Sequence, residues 1–182
     1  MVKLGKDLKE VFESVWEFHK ELSIKGDLVP GALFISEAPK ESGFIPFECQ
    51  SEEDKRRYSF MIHAMARKLD PDIIVFTTEG WGLIQNPEDK DPLGKYHDSI
   101  KKYGSLEHAP GRQELLIVAA SDRDGNRLTR IGEITRAKRD DGKDVVDIQE
   151  ICKEDDMGFT SRFVPEGWGG PLDDFDISGM TK

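Results

Sequence analysis

The 182-residue chain reads as an α+β protein: one mostly antiparallel sheet of about six strands (α-β-β-α-β-β-β-β) with two helices packed on one face. Three observations predict this. Two segments carry apolar residues at three- and four-residue steps, the mark of amphipathic helices. Six short runs rich in Ile, Val, Leu and Phe are bounded by Gly, Pro or Asp, as strands are. Asp124-Gly125 and Asp141-Gly142 are hairpin signals, so the last three strands should form an antiparallel meander.

In chain order, Leu4, Leu8, Val11, Phe12, Val15, Trp16, His19 and Leu22 line one side of a helix over residues 6–23, closed by Gly26 and Pro30. Ala32 to Ser36 is a strand. A second follows at Phe44 to Cys49, and Pro46 puts it at an edge, because proline cannot donate to a ladder. Ser51 is a natural N-cap for the second helix, with Glu52, Glu53 and Asp54 in the first turn, where the helix dipole favours negative charge. Tyr58, Met61, Ile62, Met65 and Leu69 form its apolar stripe, and Asp70-Pro71 ends it. Ile73 to Phe76 is apolar on both faces and marks a central strand. From Glu79 to Arg112 the pattern fails, apart from one helical turn near His97 to Tyr103, and a loop of that length inside a domain is functional or disordered. Leu115 to Ala120 is the second central strand, with Leu128 to Thr135 and Val145 to Ile151 after it. If the second helix returns its strand beside the first one, the strand order is 2-1-3-4-5-6. Residues 1–157 then form a single α+β domain, and 158–182 an acidic, Gly/Pro-rich C-terminal extension.

Composition narrows the function. The net charge is −10, with twelve acidic against four basic residues within positions 140–182. The remainder is near neutral, which argues against direct nucleic-acid binding, since phosphates need a basic face. The acidic strip suits a protein partner with a basic surface. Leu115 to Ala120 falls far short of the roughly 20 apolar residues of a membrane span. The N-terminus has no apolar signal-peptide core, and the two lone cysteines, Cys49 and Cys152, fit a reduced, cytoplasmic setting.

The candidate chemistry is sparse. Asp122, Asp124, Asn126 and Glu133 stand at positions 1, 3, 5 and 12 of a calcium-loop spacing. Arg127 occupies the position that needs glycine, and strands flank the segment where helices are required, so the letters read as an Asp-Gly hairpin and no metal site is predicted. His19 faces the apolar side of the first helix and reads as a core histidine. His97 and His108, with Asp98 beside the first, share the 79–112 segment with Glu79, and these four residues are the candidates for a catalytic, possible metal-dependent hydrolase site. The GxSxG elbow, the P-loop and the GxGxxG signature are all absent, and no cofactor is predicted.

The tetrapeptide Glu-Gly-Trp-Gly occurs twice, at Glu79–Gly82 and Glu166–Gly169. The flanks of the copies differ and no repeat period links them, so they read as two turn-anchored tryptophans. Trp81 would open the long loop, and Trp168 would pin the C-terminal extension to the body.

Pro71 to Trp81, Pro110 to Val118 and Asp122 to Gly125 together resemble a group of uncharacterised bacterial and phage proteins, over roughly residues 50–135. In that group a helix and a strand end in an acidic-aromatic "EAW"-like turn, and a variable loop leads to a strand bearing Arg and Glu. Here Gly80 replaces the alanine. The resemblance implies no activity, but it implies that Glu79, Trp81, Arg112 and Glu114 act together. The expectation is therefore an accessory or binding protein that uses the 79–112 loop and the acidic strip. Glu79, Trp81, Arg112, Glu114 and Trp168 are its binding residues, and the hydrolase is the alternative.

Overall fold

The computed structural model describes residues 7–37, 40–48, 51–83, 92–138 and 144–154. The first helix, α1 (Leu8–Lys25), starts where Asp7 accepts a hydrogen bond from the Lys9 backbone N–H at 2.9 Å. It ends at Gly26, whose left-handed backbone lets Gly26 and Asp27 donate to the carbonyls of Ser23 and Leu22. The second helix, α2 (Glu52–Leu69), is capped by Ser51, as the sequence predicts, and closed by Asp70. A third helix, α3 (Pro92–Tyr103), and a 3₁₀ turn (Leu106–His108) lie between the third and fourth strands.

The strands are β1 (Gly31–Ile35), β2 (Gly43–Pro46), β3 (Ile73–Leu83), β4 (Arg112–Asp122), β5 (Arg127–Lys138) and β6 (Asp144–Glu154). They make one six-stranded sheet in the order β2-β1-β3-β4-β5-β6, with every neighbouring pair antiparallel. The α+β class, the antiparallel sheet and the strand order agree with the sequence reading. The placement of the two helices on one face does not. α1 packs Leu8, Val11, Phe12 and Trp16 against Ile73, Val75, Leu116, Val118, Ile134 and Ile148. α2 packs Ile62 and Ala66 against Ala32, Phe34, Ile74 and Phe76 on the opposite face. Successive strand residues point to opposite sides, so Ile73–Phe76, buried throughout, needs a cover on each side. Met61, read as part of the α2 stripe, is 39% exposed, and Ala66 takes the buried position.

The 79–112 segment is also not one loop. β3 runs on to Leu83 and β4 begins at Arg112, with Glu79 opposite Leu116 and Trp81 opposite Glu114. Ladder hydrogen bonds continue a strand where the apolar pattern has already stopped, so composition alone ends it too early. The single helical turn expected near His97 is the full helix α3. No helix among the described residues is long and apolar enough to cross a membrane. The C-terminal extension, 158–182, lies outside the described residues, as do Cys49 and the Cys152 side chain.

One glycine sets how closely α1 approaches the sheet. Gly132 of β5 lies under the Trp16 ring, and a Cβ there would meet Ile148 Cγ2 at 2.6 Å and Trp16 at 3.1 Å. A Gly132→Ala substitution should lower stability by about 1–3 kcal/mol through overpacking. The check is a denaturant melt against wild type; an unchanged midpoint would show that Trp16 can shift freely.

Candidate functional site

On α1, His19 and Ser23 are four residues apart and share one side of the helix. On β3, Thr77 and Glu79 are two apart and share the sheet face that α1 covers. The two pairs meet. Thr77 Oγ1 lies 2.5 Å from His19 Nδ1, and the Ser23 hydroxyl donates to Glu79 Oε1. Glu79 Oε2 in turn faces Arg136 Nη2 of β5 at 3.5 Å. The same guanidinium grips Glu114 of β4, with Nε at 2.9 Å from Oε2 and Nη2 at 2.7 Å from Oε1. This paired hydrogen bonding to Glu114 raises the Arg136 pKa above its ordinary value.

Beyond this polar row the face opens. Trp81 is the next residue outward from Glu79 on the same face, and it is 40% exposed. The Arg112 guanidinium sits over its ring, 5.2 Å from the centroid, in a cation–π stack. Arg112 pairs with Leu83 in the ladder, so it is the diagonal neighbour of Trp81. Glu79, Trp81, Arg112 and Glu114 thus lie on one face of the β3–β4 ribbon, with Arg136 joining the two carboxylates.

The first Glu-Gly-Trp-Gly copy is strand, which corrects the turn reading. Its residues alternate, with Glu79 and Trp81 on the α1 side and Gly80 and Gly82 on the other. At Gly82 a Cβ would lie 2.3 Å from Leu115 Cδ1, so a larger residue there would push the leucine tip aside. Gly80 has open space around it, and nothing in the structure requires a glycine there. Trp168, in the second copy, lies outside the described residues.

The remaining candidates fall elsewhere. His97 and Asp98 are exposed on α3, and as successive helix residues they project about 100° apart. His108 is exposed in the 3₁₀ turn. The hydrogen bonds of the Glu79 carboxylate run to Ser23 and Arg136. Among the described residues no group of three or more His, Cys, Asp or Glu side chains is close enough to hold a metal ion. In the calcium-like spacing, Asp122 accepts from the backbone of Asp124 and Asn126 at 3.0 and 2.9 Å and from the Asn126 side chain at 2.8 Å, as a hairpin turn requires. Glu133 bonds Gln113 at 2.7 Å. It stands six positions along β5 from Arg127, at roughly 3.3 Å per residue, or about 20 Å away.

The buried end of the row bonds α1 to the sheet. Ser23 and Thr77 are almost fully buried, so neither hydroxyl is presented to a substrate. Burial holds the His19 pKa down at about 4, so the ring is neutral at neutral pH. Arg136 and Ser23 were not singled out in the sequence. The available signals were Arg136 standing two residues after the core-facing Ile134, and Ser23 four after His19. The exposed end can stack a flat or apolar group on an aromatic ring backed by a cation.

Compared with protein-family models, with curated proteins and with solved structures, the chain gives no match.

Two outcomes test the row. With His19 at about 4 in the folded chain and near 6.5 when unfolded, the unfolded state binds the extra proton between those values. Its stabilising contribution is complete above pH 6.5 and is lost as the pH falls toward 4. A His19→Gln variant should show a shallower loss of stability over that window in denaturant melts at stepped pH. Glu79→Ala should cost about 1–3 kcal/mol, by leaving the buried Ser23 hydroxyl without its acceptor. A thermal melt equal to wild type would show that Ser23 finds another acceptor.

Proposed function

We propose that this chain is a non-catalytic accessory protein, and that the outer end of the β3–β4 ribbon is its recognition surface. One observation carries the reading: Trp81 lies on a strand face, 40% exposed, with the Arg112 guanidinium over its ring. Trp and Arg are the residues most enriched among interface hot spots, because a large ring and a planar cation give much contact for little lost freedom. Here the pair is held on a paired strand, so little ordering remains to be done on binding. The carboxylates of Glu79 and Glu114 beside it are joined through Arg136, which fixes the charge pattern of the patch. Asp147, exposed on β6, adds acidic surface, and together with the sequence's C-terminal acids it favours a protein partner with a basic patch.

Trp81→Ala should leave the thermal midpoint within error of wild type, because the ring is exposed, while partner retention falls by a factor of ten or more. The measurement compares proteins retained from lysate at low salt by wild-type, Trp81→Ala and Arg112→Ala baits, quantified by mass spectrometry. A retained set that is the same for all three would overturn the proposal.

A further inference from the structure

The two edges of the sheet are built differently. β2 has four residues and includes Pro46, so it offers little backbone to an incoming strand. β6 has eleven residues, Asp144–Glu154, and is last in the strand order, with no strand on its outer side among the described residues. The one register shift, at Ile131/Gly132, leaves Asp144 to Glu150 in continuous pairing with Gly132 to Lys138. A strand this long, paired on one side only, is a template for a further strand.

The side chains on β6 decide what that strand is. Its eleven positions carry four acids, Asp144, Asp147, Glu150 and Glu154, against the single base Lys153. A second copy is disfavoured: a two-fold antiparallel pairing centred on Asp147 sets Asp147 against itself. Like charges directly opposite one another destabilise a ladder. The same acids favour a basic segment. On the face away from α1, Val145, Asp147 and Gln149 follow one another, and Val145 is 38% exposed. On the α1 face Ile148 is buried in the core.

We propose that β6 is a strand-addition site for an extended basic segment of a partner protein, with Lys or Arg opposite Asp147 and an apolar residue opposite Val145. Main-chain pairing supplies the attachment, and Asp147 with Val145 beside it supplies the selection. This surface is separate from the Trp81 end of the ribbon.

The test uses the full chain and a blocked peptide of about ten residues, a strand's length, in which lysine and valine alternate along one face, so that lysine can stand opposite Asp147 and valine opposite Val145. Amide hydrogen exchange is followed by NMR. In the free chain every second amide of 144–154 should exchange quickly, and saturating peptide should protect those amides. Asp147→Lys should weaken peptide binding at least tenfold with no change in melting temperature, and Trp81→Ala should leave it unchanged. The proposal is overturned by an unprotected β6 in the presence of peptide, or by equal binding of a glutamate-for-lysine peptide. Unaltered affinity in Asp147→Lys, loss of binding in Trp81→Ala, or alternate amides already protected in the free chain would each overturn it as well.

Discussion

The structure depends on the double-sided burial of β3. From Ile73 to Thr77 every residue is buried, and alternation sends Ile73 and Val75 to one face and Ile74 and Phe76 to the other. Neither set can be left in water at roughly 1.5–3 kcal/mol per large side chain. Two layers must therefore close on the strand from opposite sides. The helices that do so are offset: α1 lies over β3 to β6, while α2 lies over β1 and its neighbours. Among the described residues, α1 and α2 thus each cover only part of a face. The uncovered parts are where large apolar side chains reach solvent, at Phe44 on β2 and at Val145 and Ile151 on β6.

Hydrophobic burial holds α1 on the sheet, and polar contacts fix where along it the helix sits. Arg130 of β5 is 2% exposed, and its guanidinium bonds both Glu13 oxygens at 2.8 and 2.6 Å. It stacks 5.3 Å from the rings of both Phe12 and Trp16, with Glu150 Oε2 at 3.3 Å. An ion pair of this kind gains little net energy over an apolar substitute, because both charges lose water. Its geometry is strict, however, so a helix slipped by one turn would strand a buried cation. The His19–Thr77 and Ser23–Glu79 contacts repeat that constraint nearer the end of the helix. Glu79 therefore reaches the ribbon end already oriented, and Trp81 stands just past the part of β3 that the helix covers.

Much of this was legible in the residues. Ser51 and Gly26 marked helix ends, Asp124-Gly125 set the β4–β5 turn, and the crossover argument gave the strand order. The helix placement was misread as one-sided, although a four-residue run apolar on both faces already excludes a one-sided cover. The Glu-Gly-Trp-Gly strand was not legible, because glycine suggests a turn and the contact of Gly82 with its diagonal neighbour Leu115 depends on a residue 33 positions away. The site was legible in part. Glu79, Trp81, Arg112 and Glu114 were singled out and share one face, but the guanidinium between the carboxylates comes from Arg136, two strands away from Glu79. Local spacing carries no trace of that distance, and Trp168 lies beyond the described residues.

The two ends of the β3–β4 ribbon carry opposite treatments of charge. At the end where β3 begins, Asp70 holds a left-handed backbone at φ 47, a conformation that costs a side-chain-bearing residue about 1–2 kcal/mol. Lys40 at 3.2 Å and Arg123 at 2.6 Å close on its carboxylate, and Arg123 also donates to the carbonyls of Asp70 and Pro71. Every group there serves to seal a helix end against a hairpin. At the far end, about ten residues or roughly 33 Å along the strand, a tryptophan and a guanidinium stack in solvent. A fold that satisfies one end so thoroughly has no structural need of an exposed ring at the other. That asymmetry supports the proposed recognition at the Trp81 end, and it leaves the edge of β6 as a second, differently built surface.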